Sequence, residues 1–339
     1  MKFGLTMLHE GETSAEGAAL AAFAEEAGFD FAGFADSQSI FRECYSSMAA
    51  AALRTSRLWL GPSVTNPVSR HPVVTASAIA TIHEISGGRA FLGIGTGDSA
   101  VYNLGLKPAS IAEFTVAVQR IRKAFDAHTD AEATRSVDLK WNTARVPIMV
   151  AGSGPRAMEV AARYGDGAII DVGSEPALVA DWVRYMREIR AGSELAHLPF
   201  SVWVYTKAFV ADSVEEARAP IAQIIAAAGN DAFRFNLERK RVPPELVGPL
   251  KEFHERYAFS VHASVSSRVN VDLMDELGLT EFLYGRFSIA GTKEMVAEHL
   301  AALKTAGADG VLFSGVVPDK RLLMSRLAGA MELFRDRLS

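Results

Sequence analysis

Short polar segments that follow apolar runs carry the residues able to do chemistry. Gly152-Ser153-Gly154-Pro155-Arg156 places two glycines and a serine before a proline at the first position of a helix. Glycine lets backbone N–H groups approach an anion closely. A helix N-terminus adds free N–H groups and partial positive charge. Ser153 can donate its hydroxyl, and Arg156 can add charge. The segment reads as a phosphate cradle; the alternative is a tight turn whose serine merely caps the helix. Gly95-Thr96-Gly97-Asp98 lies at the end of a strand expected to be buried. There Asp98 either hydrogen-bonds the edge of a flat heterocycle or caps the next turn. Asp36 ends an apolar strand and is either a general acid/base or a turn aspartate. His9 follows the first strand and is a second candidate for the pocket wall. His71, in Arg70-His71-Pro72, fits a helix start better than a reacting group.

The elements that must position these residues alternate along the whole chain. Strand-like runs fall at 2–8, 29–36, 57–65, 89–96, 146–152, 166–173, 200–211 and 308–315. Helical patterns fall at 14–29, 44–56, 72–86, 109–127, 155–164, 175–191, 213–228, 292–306 and 319–337. This is the βα signature of a parallel sheet. Eight strands, each followed by at least one helix, predict an α/β (β/α)8 TIM barrel with its site at the strand ends. An open doubly wound sheet is disfavoured, because HEGETS after the first strand is not a G-x-G-x-x-G turn. The stretch 229–291 is too long for a structureless loop. Helical insertions are expected there, after strand seven, within a single domain spanning 1–339.

The 339 residues are 49% hydrophobic and 22% charged, an ordinary globular composition. The net charge of −5 argues against a nucleic-acid partner. The single cysteine, Cys44, excludes an intramolecular disulfide and reads as a packing residue. The N-terminus does not read as a signal peptide. No apolar run of membrane-spanning length is present, so a cytoplasmic protein is expected. His254 and His262 lack metal-ligand spacing, and no H-x-x-x-H or C-x-x-C occurs. No metal is expected. Trp203 and Tyr205 alternate on the seventh strand and read as core. Glu238-Arg239-Lys240-Arg241 reads as a solvated face.

Longer segments add a resemblance. GFDFAGFADSQ (28–38), PSVTNPVSRHP (62–72), SGGRAFLGIGTGDSAVYNLGLKP (86–108), VPIMVAGSGPRAMEVAARYGDGAI (146–169) and FSIAGTKEMVAEHLAALKTAGADGVLF (287–313) occur in order along the chain. Together they resemble the bacterial-luciferase-like flavin oxidoreductases, most of all the methylene-tetrahydromethanopterin reductase branch. The resemblance implies a cofactor ring across the ends of strands two to four. It implies a non-proline cis peptide at Ser63–Val64, with Ser63, Val64 and Thr65 supporting one face of the ring. Thr96, Gly97 and Asp98 would contact the ring or its polyol chain. Gly152, Ser153, Gly154 and Pro155 match the phosphate-binding turn, and Val172 and Gly173 the neighbouring end of strand six. The chain departs from the pattern at one point. Many members carry Asp-His after strand two, whereas this chain carries Asp36-Ser37. Serine cannot act as the imidazole base, which leaves Asp36 or His9 to move a proton.

The leading expectation is a two-component monooxygenase that takes reduced FMN from a separate flavin reductase and uses oxygen on a small organic substrate. Water exclusion would then limit wasteful breakdown of the oxygenated cofactor, with 229–291 as the lid. The second expectation is hydride transfer with a deazaflavin, coenzyme F-420. A non-catalytic flavin-binding relative and a barrel enzyme for phosphorylated metabolites rank below these. Family members commonly pair through barrel helices, so a homo-oligomer is expected, with the Ala-rich helix from Cys44 a candidate contact.

Overall fold

The computed structural model describes residues 1–7, 12–125, 139–142, 144–234, 237, 240–262, 264 and 266–337. Its strands are β1 (Lys2–Met7), β2 (Phe31–Phe34), β3 (Trp59–Pro62), β4 (Leu92–Ile94), β5 (Ile148–Gly152), β6 (Gly167–Ile170), β7 (Ser201–Val210), β8 (Ser288–Gly291) and β9 (Gly310–Phe313). They are short and almost uniformly buried. Runs of this kind suit parallel strands covered on both faces, where no polar alternation is needed. Along the sheet the order is β3-β2-β1-β9-β7-β6-β5-β4. Two isolated parallel bridges, Leu60–Ala90 and Thr65–Ile94, join β3 to β4 and bring the ring round. The fold is the expected (β/α)8 barrel.

Two details differ from the sequence reading. A ninth strand, β8, lies within the stretch expected to be helical. It pairs in parallel with the far half of β7, Lys207 through Val210. At ten residues β7 outruns its neighbours and leaves that half a free edge. The helix expected at 213–228 is broken into Val214–Arg218, a 3-10 turn Ala219–Ile221, and Ala222–Phe233. Pro220 sits in that turn and has no N–H to continue the ladder. Elsewhere in 229–291 helices form as expected, at Val247–Arg256, Val269–Glu276 and Thr280–Phe287.

The chain divides into two compact units. The first comprises Met1–Asp171, Trp182–Trp203 and Asp309–Leu312; the second comprises Val172–Asp181, Val204–Ala308 and Phe313–Ser339. Within the first, aromatic rings line the strand starts. Phe31 stacks on Trp203 with centroids 4.1 Å apart, and Phe91 meets Trp203 edge-on at 5.2 Å. Glycine makes the room: a Cβ on Gly4 would lie 2.0 Å from the Phe31 ring, and one on Gly310 would lie 2.7 Å from Trp203.

Polar side chains hold the corners around that core. The Glu25 carboxylate accepts the backbone N–H groups of Ser56, Arg57 and Leu58 ahead of β3. Burial pulls its pKa up, but these N–H donors outweigh it and lower it to about 2. Arg89 donates to the carbonyls of Ser86, Leu58, Ala52 and Thr55 and to the Thr55 hydroxyl. Among the described residues no helix is long and apolar enough to cross a membrane.

Candidate active site

β2 ends at Phe34, and two residues later Asp36 is buried, 7% exposed. A buried carboxylate needs partners. The Thr65 hydroxyl donates to its Oδ2 at 2.6 Å, and the Arg70 guanidinium donates to the same oxygen at 2.5 Å. Oδ1 makes no hydrogen bond among the described residues. Arg70 also donates to Glu43 at 2.9 Å and lies 5.0 Å over the Tyr45 ring. Burial disfavours the Arg70 charge, yet the bond to Asp36 outweighs it and raises its pKa. The Tyr45 hydroxyl is buried without a hydrogen-bond partner, and burial pushes its pKa up. Cys44 is fully buried and donates to the Phe34 carbonyl. Burial first, then the charges of Asp36 and Glu43, push its thiol pKa up. It is a packing residue, as expected, and no thiolate nucleophile.

The Ser63–Val64 peptide is cis. Small neighbours admit it: a Cβ on Gly33 would lie 2.4 Å from the Ser63 Cβ, and one on Gly93 would lie 2.2 Å from the Pro62 carbonyl oxygen. Thr65 carries the chain across to the end of β4, donating its N–H to Gly93 and accepting that of Gly95. Gly97 adopts φ +107°, where a side chain would be strained and would strike Val101. Asp98 precedes the short helix Ser99–Tyr102 but makes no capping hydrogen bond, and it is exposed. The capping alternative for Asp98 therefore falls. Ser37 and Ser99 hydroxyls bond at 3.1 Å, and Gln38 donates to the Ala100 carbonyl, tying the end of β2 to the end of β4.

At the end of β5, Gly154 is the N-cap of the helix Pro155–Tyr164 and supplies no side chain to cap it. Ser153 is exposed and caps nothing, so the tight-turn alternative for the serine falls as well. A Cβ built on Gly154 would meet nothing within 4 Å. Arg156 stands exposed on the first helical turn and forms no ion pair among the described residues. The result is a helix end with free N–H groups, open space and an available cation, which fits a phosphate.

Val172 and Gly173 belong to the second unit. There the Val172 carbonyl accepts from the buried Arg286 guanidinium at 2.9 Å, and a Cβ on Gly173 would lie 2.3 Å from the Arg286 carbonyl oxygen. His9 lies outside the described residues. His71 accepts the Val73 N–H and caps its helix, as expected. His254 bonds Asn230, and His262 bonds the Tyr257 hydroxyl. Among the described residues no cluster of metal-ligating side chains forms. Sequence reasoning missed the pairing of Arg70 with Asp36. The available signal was that a carboxylate predicted at a buried strand end requires a cation or strong donors.

The family described as luciferase-like monooxygenase matches residues 1–310. The 5,10-methylenetetrahydromethanopterin reductase of Archaeoglobus fulgidus is 31% identical over 312 residues, covering 88% of this chain and 89% of the relative. Among solved structures, the coenzyme F-420-dependent tetrahydromethanopterin reductase from Methanopyrus kandleri gives a TM-score of 0.76 at 23% identity, covering 98% of this chain and 99% of that one. EDTA monooxygenase from Chelativorans sp. BNC1 gives a TM-score of 0.66 at 14% identity, covering 99% and 94%. At those identities the two structures speak for the fold alone. The strand-end site and the match over residues 1–310 together make this chain an oxidoreductase of the luciferase-like monooxygenase family, on the side of the methylenetetrahydromethanopterin reductases.

Proposed function

We propose that this oxidoreductase transfers hydride between a deazaflavin of the coenzyme F-420 type and a small organic substrate. The observation that carries the reading is the near-full-length similarity to a methylenetetrahydromethanopterin reductase. The site residues fit such a cofactor: an uncapped helix end lies beside open space at Gly154, and a buried phenol at Tyr45 has no partner. When bound, the deazaflavin supplies the hydride chemistry, and the protein supplies binding and orientation. Gly152, Ser153, Gly154 and Pro155 hold the phosphate. Thr96, Gly97 and Asp98 bind the ring edge or the polyol chain, and Ser63, Val64 and Thr65 support one ring face.

Asp36 is the proton-handling group in this reading. Thr65 and Arg70 fix its Oδ2, which aims the carboxylate and leaves Oδ1 to accept a proton from a substrate hydroxyl. In the reducing direction the same oxygen returns it. Ser37 bonds Ser99 and replaces the imidazole with a structural tie. The segment 229–291 selects the substrate. Assembly as a homo-oligomer belongs to the same proposal. Leu53, 78% exposed at the end of the helix Cys44–Ala52, supports it, and light scattering checks it.

A second reading, a two-component monooxygenase using reduced FMN with a separate flavin reductase, is favoured by the match of residues 1–310 to the luciferase-like monooxygenase family. Anaerobic titration of the purified protein with reduced FMN and, in parallel, reduced F-420 separates the two. Tight binding of the deazaflavin alone supports hydride transfer. Tight binding of FMN alone transfers the assignment to the monooxygenase. Binding of neither overturns both cofactor readings.

A further inference from the structure

We infer a second small-molecule site at the opposite end of the strands, for a flat apolar ligand bearing a carboxylate. A cavity of about 290 Å³ opens there, walled by Phe31, Trp59, Phe91, Met149 and Trp203, with Lys2 at its rim. Lys2, Phe31, Trp59 and Ser201 are the first residues of β1, β2, β3 and β7. The cavity is therefore at the strand starts, and every residue that lines it belongs to the first unit. The cofactor mouth is at the strand ends, so this inference is independent of the proposed activity.

Three observations favour a ligand over plain packing. Barrel interiors are normally filled by layers of side chains, and this void remains unfilled in spite of bulky walls. Mostly apolar walls hold water poorly. The charges at the rim are unequal. Asp166 is already bonded by Arg122 and Arg145, and Asp30 accepts the Phe3 N–H. Lys2 forms no ion pair among the described residues and lies 5.6 Å over the Trp59 ring. An aromatic body would stack against these rings, and its carboxylate would meet the free ammonium.

The test uses 2-naphthoate and neutral 2-naphthalenemethanol as probes, titrated calorimetrically into the full-length protein. The expected result is saturable one-to-one binding of naphthoate with Kd on the order of 100 µM or tighter. Lys2→Met should weaken naphthoate about fivefold or more and leave the alcohol unchanged. Ser201→Phe, which fills the opening, should abolish binding of both probes with cofactor titration intact. A thermal melt confirms that this variant folds, and the rim variant Lys2→Met carries the test if it does not. Absence of saturation into the millimolar range overturns the site. So does naphthoate binding that is insensitive to Lys2→Met, that survives Ser201→Phe, or that is displaced by the cofactor.

Discussion

At the strand starts of the first unit, Phe31, Phe91 and Trp203 meet ring on ring around an apolar void. At the strand ends, Asp36, Thr65 and Arg70 meet through directional bonds to one oxygen, beside glycines that admit the cis Ser63–Val64 peptide. The first kind of contact depends on area and shape and tolerates small movements. The second depends on angle and charge and fails when one partner is lost. The difference teaches that in one barrel the two ends can be held by different forces: one by apolar contact, the other by directional polar bonds.

Mutations can break or sharpen that contrast. The largest effect is expected at the apolar end. Trp203→Ala should cost about 3–5 kcal/mol of stability, read as a fall in denaturation midpoint, while the folded fraction retains cofactor affinity. A comparable loss of cofactor affinity would mean the two ends are not separable. Next, Asp36→Asn should lower the rate of the hydride step by about 100-fold in single-turnover measurements, with the cofactor Kd changed less than about threefold. Unchanged turnover would make Asp36 structural. Gly154→Asp places a negative charge at the helix end and should weaken the phosphorylated cofactor by about tenfold, roughly 1.4 kcal/mol. Cofactor lacking the phosphate should bind the variant and the parent alike.

The smallest effect concerns pH. The Glu25 carboxyl has its pKa lowered from 4.5 to about 2 in the folded protein. A lowered carboxyl pKa stabilises the fold above the unfolded value, and that contribution is lost as pH falls through the folded value. The stability advantage of the parent over Glu25→Gln should thus be full above pH 4.5 and fade toward pH 2. Melting temperatures of both proteins across that range check it. A difference that grows as pH falls would contradict the sign.

The order of βα units was legible because each strand is a short apolar run closed by a breaker. Gly28 is one such breaker, with φ +83° just past its helix. The helix Pro155–Tyr164 was legible to the residue, since Gly154-Pro155 opens it and Gly165 closes it. β8 was not legible: its four residues follow directly on a helix and offer no alternation to count. The strand-end positions of Asp36, Thr65 and Gly152–Gly154 followed from the barrel alone. The clamp on Asp36 did not. Arg70 lies 34 residues away in sequence, and no spacing rule fixes a pair brought together by the exits of adjacent strands. The cavity at the strand starts was equally hidden, because Trp203 reads as ordinary core until its neighbours are placed.

Arg89 has a consequence for how the barrel opens. One side chain collects the carbonyls of Ala52, Thr55, Leu58 and Ser86, so the end of one helix, the lead into β3 and the end of the next helix share a single anchor. None of them can fray without giving up bonds held by the others. In hydrogen exchange, amides of residues 52–60 and 86–91 should exchange together as one cooperative unit, and Arg89→Lys, which lacks the planar fork of donors, should split that unit into separately opening pieces.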